Sequence, residues 1–297
     1  MKGQGGESKL VAIGGASGTL GREVIRALAE RGHRTRALIR DSGKRELVAE
    51  ADQVQLVDLL DPDAALEEAL DGVDVVFSAA GQSSAMGRRS ERRSFQDVDY
   101  PINRALLDAA LAVGAAKVVY VSVLNGPEMR HLAYVDAHER AVDEAIASGI
   151  DCTVIRANAF FSIYLEALER AKRGPLLGLG DPDALSNPID ERDLATACAE
   201  ALDGKEASVD VGGPEILTRR EELEAAFLAL GREPRIRWLP MAVAKAALPA
   251  LRLRDRRRAE MLEFVLSIAA REMVATPHGN GRLKDYLREK ASPEAEN

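Results

Sequence analysis

The chain has 297 residues, of which 46% are apolar and 4% aromatic, so it can bury one large α/β core or two tightly joined parts. Its formal net charge of −8 argues against general nucleic-acid binding. No apolar run in the sequence reaches the roughly 18 residues of a membrane span. Cys152 and Cys198 lie in apolar segments, which indicates reduced, buried thiols in a cytoplasmic protein.

The first half of the chain alternates predicted strands with predicted helices. The strands are expected at residues 9–13, 34–39, 54–57, 73–80, 116–122 and 151–157, and the helices at 19–30, 61–70, 94–113 and around Tyr134. Strand segments rich in Val and Ile, separated by helices, indicate a parallel sheet buried on both faces. The pattern therefore predicts a doubly wound α/β fold, with ligands at the carboxyl ends of the strands.

Beyond residue 157 the pattern becomes mostly helical and is interrupted by prolines. Helices are predicted at 162–173, 192–202, 218–230 and 255–270. MAVAKAALPAL is predicted as a further helix packed in this part, with a membrane-surface or partner helix as the alternative. We therefore expect a dinucleotide-binding domain at 1–157 and a smaller substrate-binding part at 158–297. No linker separates them, so the two parts should interleave.

The strongest motif is IGGASGTLGREV, which places Gly15, Gly18 and Gly21 between a predicted strand and a predicted helix. Glycines there permit a tight turn and let a pyrophosphate approach backbone N–H groups at a helix N-terminus. The alternative is a glycine-rich turn that binds nothing. The predicted cofactor-binding residues of this loop are Gly15, Ser17, Gly18, Thr19, Leu20 and Gly21.

Residues after the next three strands indicate which dinucleotide binds. Arg40 ends the second strand, where a guanidinium suits a 2′-phosphate, so NADP is favoured; Asp41 keeps NAD open. Asp58, followed by Leu59, is placed to hydrogen-bond an adenine amino group. The small residues Ala79, Ala80 and Gly81 end the fourth strand, where backbone must pass close to a cofactor.

The stretch AYVDAHERAV places Tyr134 and His138 one helical turn apart on the apolar face of a helix. The pair could be an acid and its helper, or two core residues with satisfied hydrogen bonds. In the loop after the fourth strand, GRRSERRS could attract an anionic substrate, although a solvated loop is the simpler interpretation.

These motifs resemble the short-chain dehydrogenase/reductase superfamily and, within it, the atypical, NmrA-like, NAD(P)-binding proteins. The resemblance rests on GGASGTLG, Arg40, the Asp58 motif, SAAG, VDYPINRALLDAALAVGAAKVVYVS, HERAVDEAIASGIDCTVIRANAFF, NPIDERDLATACAEAL and GNGRLKDYL. It therefore covers nearly the whole chain. It implies a Rossmann domain for the dinucleotide and a small substrate part near the carboxyl end.

The resemblance also implies a catalytic serine, tyrosine and lysine, which correspond to Ser122, Tyr134 and position 138. In the family pattern Tyr-x-x-x-Lys, the lysine holds the nicotinamide ribose and lowers the pKa of the tyrosine, whereas this chain has His138. We expect Tyr134 to donate a proton and Ser122 to orient a carbonyl. His138 should bind the ribose and be partly charged near neutral pH.

The sequence thus predicts an NAD(P)-dependent oxidoreductase whose small-molecule substrate is a carbonyl, an enone or a related compound. Two alternatives stay open: a non-catalytic regulator that senses NADP(H), and an isomerase or lyase that retains its cofactor. Neither a nucleic acid nor a membrane is expected as a partner, and a homodimer is left open. No metal is expected, because His33, His131, His138 and His278 lack the spacing of metal ligands.

Overall fold

Eight parallel strands form the central sheet of the computed structural model, which describes residues 7–62, 65–82 and 93–292. Their order across the sheet is β3-β2-β1-β4-β5-β6-β9-β12. The strands, in chain order, are β1 (Leu10–Gly14), β2 (Arg34–Ile39), β3 (Gln53–Leu56), β4 (Val75–Ser78), β5 (Lys117–Val123), β6 (Asp151–Ala157), β7 (Leu176–Leu179), β8 (Leu185–Ser186), β9 (Ser208–Gly212), β10 (Leu217–Thr218), β11 (Ile236–Leu239) and β12 (Thr276–Pro277).

The sheet is doubly wound, as predicted. Every residue of β1 and β4 is buried, because parallel strands are covered by helices on both faces. The chain builds β1, β2 and β3 in one direction and then crosses to the other side of β1 to add β4, β5 and β6. This reversal leaves a crevice at the carboxyl ends of β1 and β4, which is where open α/β sheets bind ligands.

Helices cover the two faces of the sheet and build the C-terminal part. They are α1 (Thr19–Glu30), α2 (Ala65–Leu70), α3 (Asp99–Ala112), α4 (Ala133–Ser148), α5 (Leu165–Arg173), α6 (Glu191–Ala201), α7 (Arg219–Ala229), α8 (Met241–Ala246), α9 (Leu248–Arg254), α10 (Arg256–Ile268) and α11 (Leu283–Ala291). Val24 of α1 and Cys198 of α6 belong to the core on one face. Leu70 of α2, Leu106 of α3 and Val142 of α4 belong to the core on the other.

The C-terminal part has its own core, formed mainly by α5, α7 and α11. It also contains two small sheets, in which β7 pairs with β11 and β8 pairs with β10. The expected boundary at residue 157 coincides with the end of β6. Beyond it, α6 packs beside α1, and β9 and β12 extend the central sheet, so residues from 158–297 complete the nucleotide-binding architecture.

Two helix predictions are wrong in detail. The segment 94–113 is not one helix: Ser94 caps a short 3-10 helix (Phe95–Asp97), and α3 begins only at Asp99. The MAVAKAALPAL segment forms two short helices, α8 and α9, with Pro249 in the first turn of α9, where a missing N–H is tolerated. The segment contacts α10, as expected of a packed helix, but it buries little, since Ala244 is its buried residue and α9 has none.

The cysteine prediction is also only partly correct. Cys198 is buried, whereas Cys152 is half-buried in β6. Within the three described ranges, no helix is both long and apolar enough to cross a membrane.

Candidate functional site

The glycine loop joins β1 to the start of α1. Gly15 has φ +77°, a conformation that favours glycine, and its carbonyl accepts a hydrogen bond of 2.9 Å from Gly18 N–H. A Cβ at Gly21 would lie 2.3 Å from the Gly15 carbonyl oxygen, so only glycine fits there. Helix α1 begins without a side-chain cap and without acidic residues in its first turn. Its N-terminal donors, beside the exposed Gly18 and Thr19, are therefore available to a phosphate.

The end of β4 passes directly beside this loop. A Cβ at Gly15 would lie 2.6 Å from the carbonyl oxygen of Ala79, which explains why small residues occupy both segments. Asn103 of α3 fixes the segment after β4, because its Nδ2 donates to the Ala80 carbonyl at 3.0 Å and its Oδ1 accepts from Ser78 Oγ at 2.5 Å. The sequence analysis missed Asn103; a polar residue among the apolar residues of α3 was the available signal.

The predicted adenosine-binding residues follow β2 and β3. Arg40 is exposed at the end of β2. Asp41 accepts a 2.9 Å hydrogen bond from Gly43 N–H and caps the 3-10 helix that follows, so its carboxylate has a local structural partner. Asp58 likewise accepts from Leu60 N–H at 3.1 Å, and Leu59 packs against the core. A guanidinium at the end of β2 is the charge that a 2′-phosphate would require.

Tyr134 lies on α4 in an aromatic enclosure. Its ring makes edge-on contacts with Phe95, with ring centroids 4.8 Å apart, and with Phe264 of α10, at 4.9 Å. His138 completes the enclosure at 5.0 Å. Burial raises the pKa of the Tyr134 phenol, and the nearby Asp99 raises it further, so the hydroxyl is protonated at neutral pH. Among the described residues the hydroxyl has no hydrogen-bond partner.

His138 has a neutral ring, which corrects the expectation of partial charge. Its Nδ1 lies 2.6 Å from the hydroxyl of Tyr120 on β5, a residue that the sequence analysis missed. Burial lowers the pKa of His138 to about 4, although Glu139 opposes the shift. The imidazole is therefore uncharged near pH 7 and cannot stabilise a Tyr134 phenolate as the lysine of the family would.

Asp99, at the start of α3, faces the other nitrogen of His138. Its Oδ2 lies 3.9 Å from His138 Nε2, while its Oδ1 accepts a 2.8 Å hydrogen bond from Gln82 N–H. Burial raises the pKa of Asp99 to about 7, against the lowering effects of Gln82 N–H and Arg257. No sequence motif identified Asp99, because its partner His138 is 39 residues away and meets it only in the folded chain.

Ser122 has a different partner from the expected one. Its hydroxyl donates to Glu139 Oε1 at 2.8 Å, and Glu139 forms a two-pronged ion pair with Arg156 at 2.6 and 3.0 Å. All three side chains are largely buried. The expectation that Ser122 orients a carbonyl is therefore not supported by its geometry: the hydroxyl proton is already donated to the Glu139 carboxylate of α4.

Two further groups of residues lie away from this enclosure or outside the described residues. Phe161, which follows β6, packs with Tyr286 in the C-terminal core, and His131 is exposed. Arg88, Arg89 and Arg92 of the GRRSERRS loop lie outside the described residues. Within the described ranges, no group of three or more His, Cys, Asp or Glu side chains could hold a metal ion.

The residues present fit a dinucleotide along the crevice. The glycine loop exposes Gly18 and Thr19 at the uncapped N-terminus of α1, where a diphosphate would bind, and exposed Gly81 lies where a Cβ would be 3.2 Å from Asp99 Oδ2. Asp99 Oδ2 and His138 Nε2, at the far end of the crevice, are both buried without a hydrogen-bond partner. A polar group of a ligand bound there would satisfy them. A cofactor would thus be held by the glycine loop, by the ends of β2 and β4, and by α4.

Comparison with known proteins agrees with this geometry. The family model described as NAD(P)H-binding matches residues 15–205. A divinyl chlorophyllide a 8-vinyl-reductase of Zea mays is 31% identical over 260 residues, which cover 80% of this chain and 63% of the relative. The chain therefore spans less than two thirds of the plant reductase. A (4-alkanoyl-5-oxo-2,5-dihydrofuran-3-yl)methyl phosphate reductase of Streptomyces griseus is 28% identical over 246 residues, with 81% of each chain covered.

Two further similarities are informative. A photosystem II assembly factor of a Synechocystis strain is 23% identical over 243 residues, which cover 79% of this chain and 72% of the relative. The crystal structure of an NADPH-dependent quinone oxidoreductase from Escherichia coli, complexed with NADPH, has a TM-score of 0.70 at 23% identity, covering 95% of this chain and 100% of that one. At this identity the structural similarity shows a shared fold.

Proposed function

The chain belongs to the NAD(P)H-binding family, and we propose that it is an NADPH-dependent reductase of conjugated acceptors such as enones and quinones. The names of its relatives support a reductase: they refer to a vinyl group and an oxo-dihydrofuran. Two observations favour NADPH over NADH: Arg40 suits a 2′-phosphate, and the Asp41 carboxylate already caps the following turn.

The cofactor would supply the hydride, and the chain would hold it in place. The glycine loop and the N-terminus of α1 would bind its diphosphate. Arg40 would pair with the 2′-phosphate, since a guanidinium makes charge-assisted hydrogen bonds to phosphate oxygens. Gly81 and the pair Asp99–His138 would receive the nicotinamide half, on the other side of β1 from Arg40.

The observation that carries the acceptor class is the enclosure around Tyr134. Phe95 and Phe264 pack edge-on against a phenol whose hydroxyl has no partner among the described residues. An acceptor that reached this hydroxyl would lie beside aromatic rings, which suits a flat, unsaturated molecule because aromatic rings pack well against π-systems. Tyr134 is protonated and would donate its proton, or hold the acceptor oxygen by a hydrogen bond.

The charge of the site favours a conjugated acceptor over a simple ketone. Reduction of an isolated carbonyl concentrates negative charge on one oxygen, which a neighbouring cation normally stabilises. Here His138 is neutral and Asp99 is an acid, so the pair supplies no fixed positive charge. An enone or a quinone spreads the developing charge over several atoms and depends less on such a cation.

Tyr134→Phe tests this proposal. The phenylalanine keeps the ring contacts and removes only the hydroxyl, so NADPH affinity should stay unchanged while turnover of quinones and enones falls by roughly 10²–10⁴-fold. Tyr286→Phe is the matched control, because Tyr286 packs against Phe161 in the C-terminal core. Equal turnover by Tyr134→Phe and the unmutated protein would exclude Tyr134 as the acid.

A second candidate is a regulator that binds NADP(H) without turnover. It is favoured by the position of α10, whose Phe264 covers the ring of Tyr134, and by the similarity to a protein named as an assembly factor. The regulator hypothesis predicts tight NADPH binding and no oxidation of bound NADPH across a panel of quinones, enones and simple ketones. NADPH oxidation that depends on a quinone would favour the reductase.

A further inference from the structure

Helices α8 and α9 lie on the surface of the protein, and together they are called the α8–α9 segment (residues 241–254). Ala244 is the buried residue of α8, and α9 has none. The exposed side of the segment is mostly apolar: Val243 is 55% exposed and Leu253 is 91% exposed. The exposed aliphatic side chains are those of Ala242, Val243, Ala246, Ala247, Ala250 and Leu253. Surface helices normally turn polar side chains towards water, so an apolar outer side indicates contact with another surface.

The charge of the α8–α9 segment is opposite in sign to that of the whole chain. Its exposed charged residues, Lys245, Arg252 and Arg254, are all basic, whereas the chain has a net charge of −8. Lys245 and Arg254 have no ion-pair partner among the described residues. Arg252 pairs with Glu263 of α10, and 58% of its side chain stays exposed. The segment therefore presents positive charge beside its apolar side chains, which complements an anionic surface.

A lipid surface fits this combination better than a protein surface does. A second copy of the chain, related by a two-fold axis, would bring Arg252 and Arg254 against the same residues of its partner, and like charges oppose such contact. Interfaces between different proteins are enriched in aromatic side chains and depleted of Ala and Lys. The α8–α9 segment instead exposes four alanines and Lys245, and it contains no aromatic residue. An anionic bilayer accepts aliphatic side chains below its headgroups and Lys and Arg among them.

We propose that the α8–α9 segment docks the protein on the surface of a membrane that contains anionic phospholipids. Val243 and Leu253 would enter the boundary between headgroups and acyl chains, while Lys245, Arg252 and Arg254 would extend to the lipid phosphates. With 6 and 7 residues, α8 and α9 are too short to cross a bilayer, so the docking is peripheral. The sequence-based expectation of no membrane partner assumed a packed helix, whereas the segment is exposed. This inference does not rest on the proposed reductase activity.

Co-sedimentation with phospholipid vesicles measures the docking directly. The unmutated protein should bind vesicles made of equal parts of phosphatidylglycerol and phosphatidylcholine, and it should not bind pure phosphatidylcholine. Each basic residue near an anionic surface strengthens binding by roughly fivefold, so Lys245→Gln combined with Arg254→Gln should lower the partition coefficient by roughly 30-fold. Leu253→Ser should lower it by roughly 10-fold, because the serine removes the apolar group that enters the bilayer.

Two control variants change matched side chains outside the segment. Lys205→Gln combined with Lys284→Gln removes the same charge from exposed positions, and Ile146→Ser removes a side chain that is 64% exposed on α4. Both should leave the partition coefficient within about twofold. Equal losses in the controls, or no binding of the unmutated protein to the mixed vesicles, would overturn the proposal. A dimer that Leu253→Ser dissociates would overturn it in favour of a second copy of the chain. Because all substituted side chains are exposed, NADPH affinity should be the same in every variant, so the vesicle test is independent of the proposed function.

Discussion

The substitution Ser122→Ala tests whether Ser122 has a structural or a catalytic role. The Ser122 hydroxyl donates to Glu139 at 2.8 Å, and Glu139 remains paired with Arg156 through two contacts when the hydroxyl is removed. A hydrogen bond to a charged group is worth about 1.5–3 kcal/mol, and we expect the free energy of unfolding to fall by an amount near the lower end. Glu139→Ala should lower the free energy of unfolding further, because it leaves Arg156 largely buried without its counter-charge. Breaking such a pair lowers stability by about 3–5 kcal/mol.

The assay is urea unfolding of both variants, followed by steady-state turnover with a quinone. Ser148→Ala is the control, since its exposed hydroxyl bonds only to backbone groups, donating to the Ala145 carbonyl and accepting from the Ile150 N–H at the end of α4. Ser122→Ala should lose stability with an unchanged denaturant slope, while kcat and the Kd for NADPH stay within about twofold. A roughly 100-fold loss of kcat with normal stability would refute the structural role and restore Ser122 as a substrate contact.

Three more perturbations test the rest of the site. Arg40→Ala should remove a preference for NADPH over NADH of roughly 10- to 100-fold, and equal affinities in the unmutated protein would contradict the role of Arg40. Gly18→Val should abolish NADPH binding, as measured by calorimetry, without unfolding the protein, because valine can adopt the φ −74° and ψ 169° of Gly18 and the exposed loop can relax the tight 3.1 Å contact of its Cβ with the Gly15 carbonyl oxygen. The lowered pKa of His138 means that only the unfolded state binds its proton between about pH 6.5 and 4, so this residue contributes stability above pH 6.5 that is lost as the pH falls. His138→Gln should remove this pH dependence of the unfolding free energy, which is at most about 1.4 kcal/mol per pH unit. If the variant and the unmutated protein gave parallel profiles of unfolding free energy against pH, this assignment would be contradicted.

Local patterns predicted the nucleotide-binding half well. Helix α1 and strand β2 have the predicted bounds, because the Gly18 turn starts the helix and Gly32, at φ +81°, ends the turn before the strand. The tight turn of the glycine loop could likewise be predicted, since the close approaches of Gly15 and Gly21 involve backbone only a few residues away or at the end of the neighbouring strand.

The partners of the site residues could not be predicted, because they depend on distant parts of the chain. Ser94 and Phe95 are held by Glu260 of α10, about 165 residues later, at 2.7 and 3.1 Å. That contact brings Phe264 over Tyr134, and no periodicity within α4 indicates it. Residue spacing along α4 predicts that two side chains share one face of the helix, but it does not predict which carboxylate of another element that face will contact.

The replacement of lysine by histidine at position 138 can be understood from that tertiary setting. A lysine there would bring a fixed charge into a buried site, and an ionised Asp99 would have to compensate for it. The neutral imidazole instead uses Nδ1 to satisfy Tyr120 and directs Nε2 towards Asp99, so the site needs no permanent ion pair. The same arrangement removes the cation that would stabilise a tyrosine phenolate. Polar positioning of a cofactor and electrostatic activation of Tyr134 are thus separable properties, and in the proposed function His138 would retain only the first.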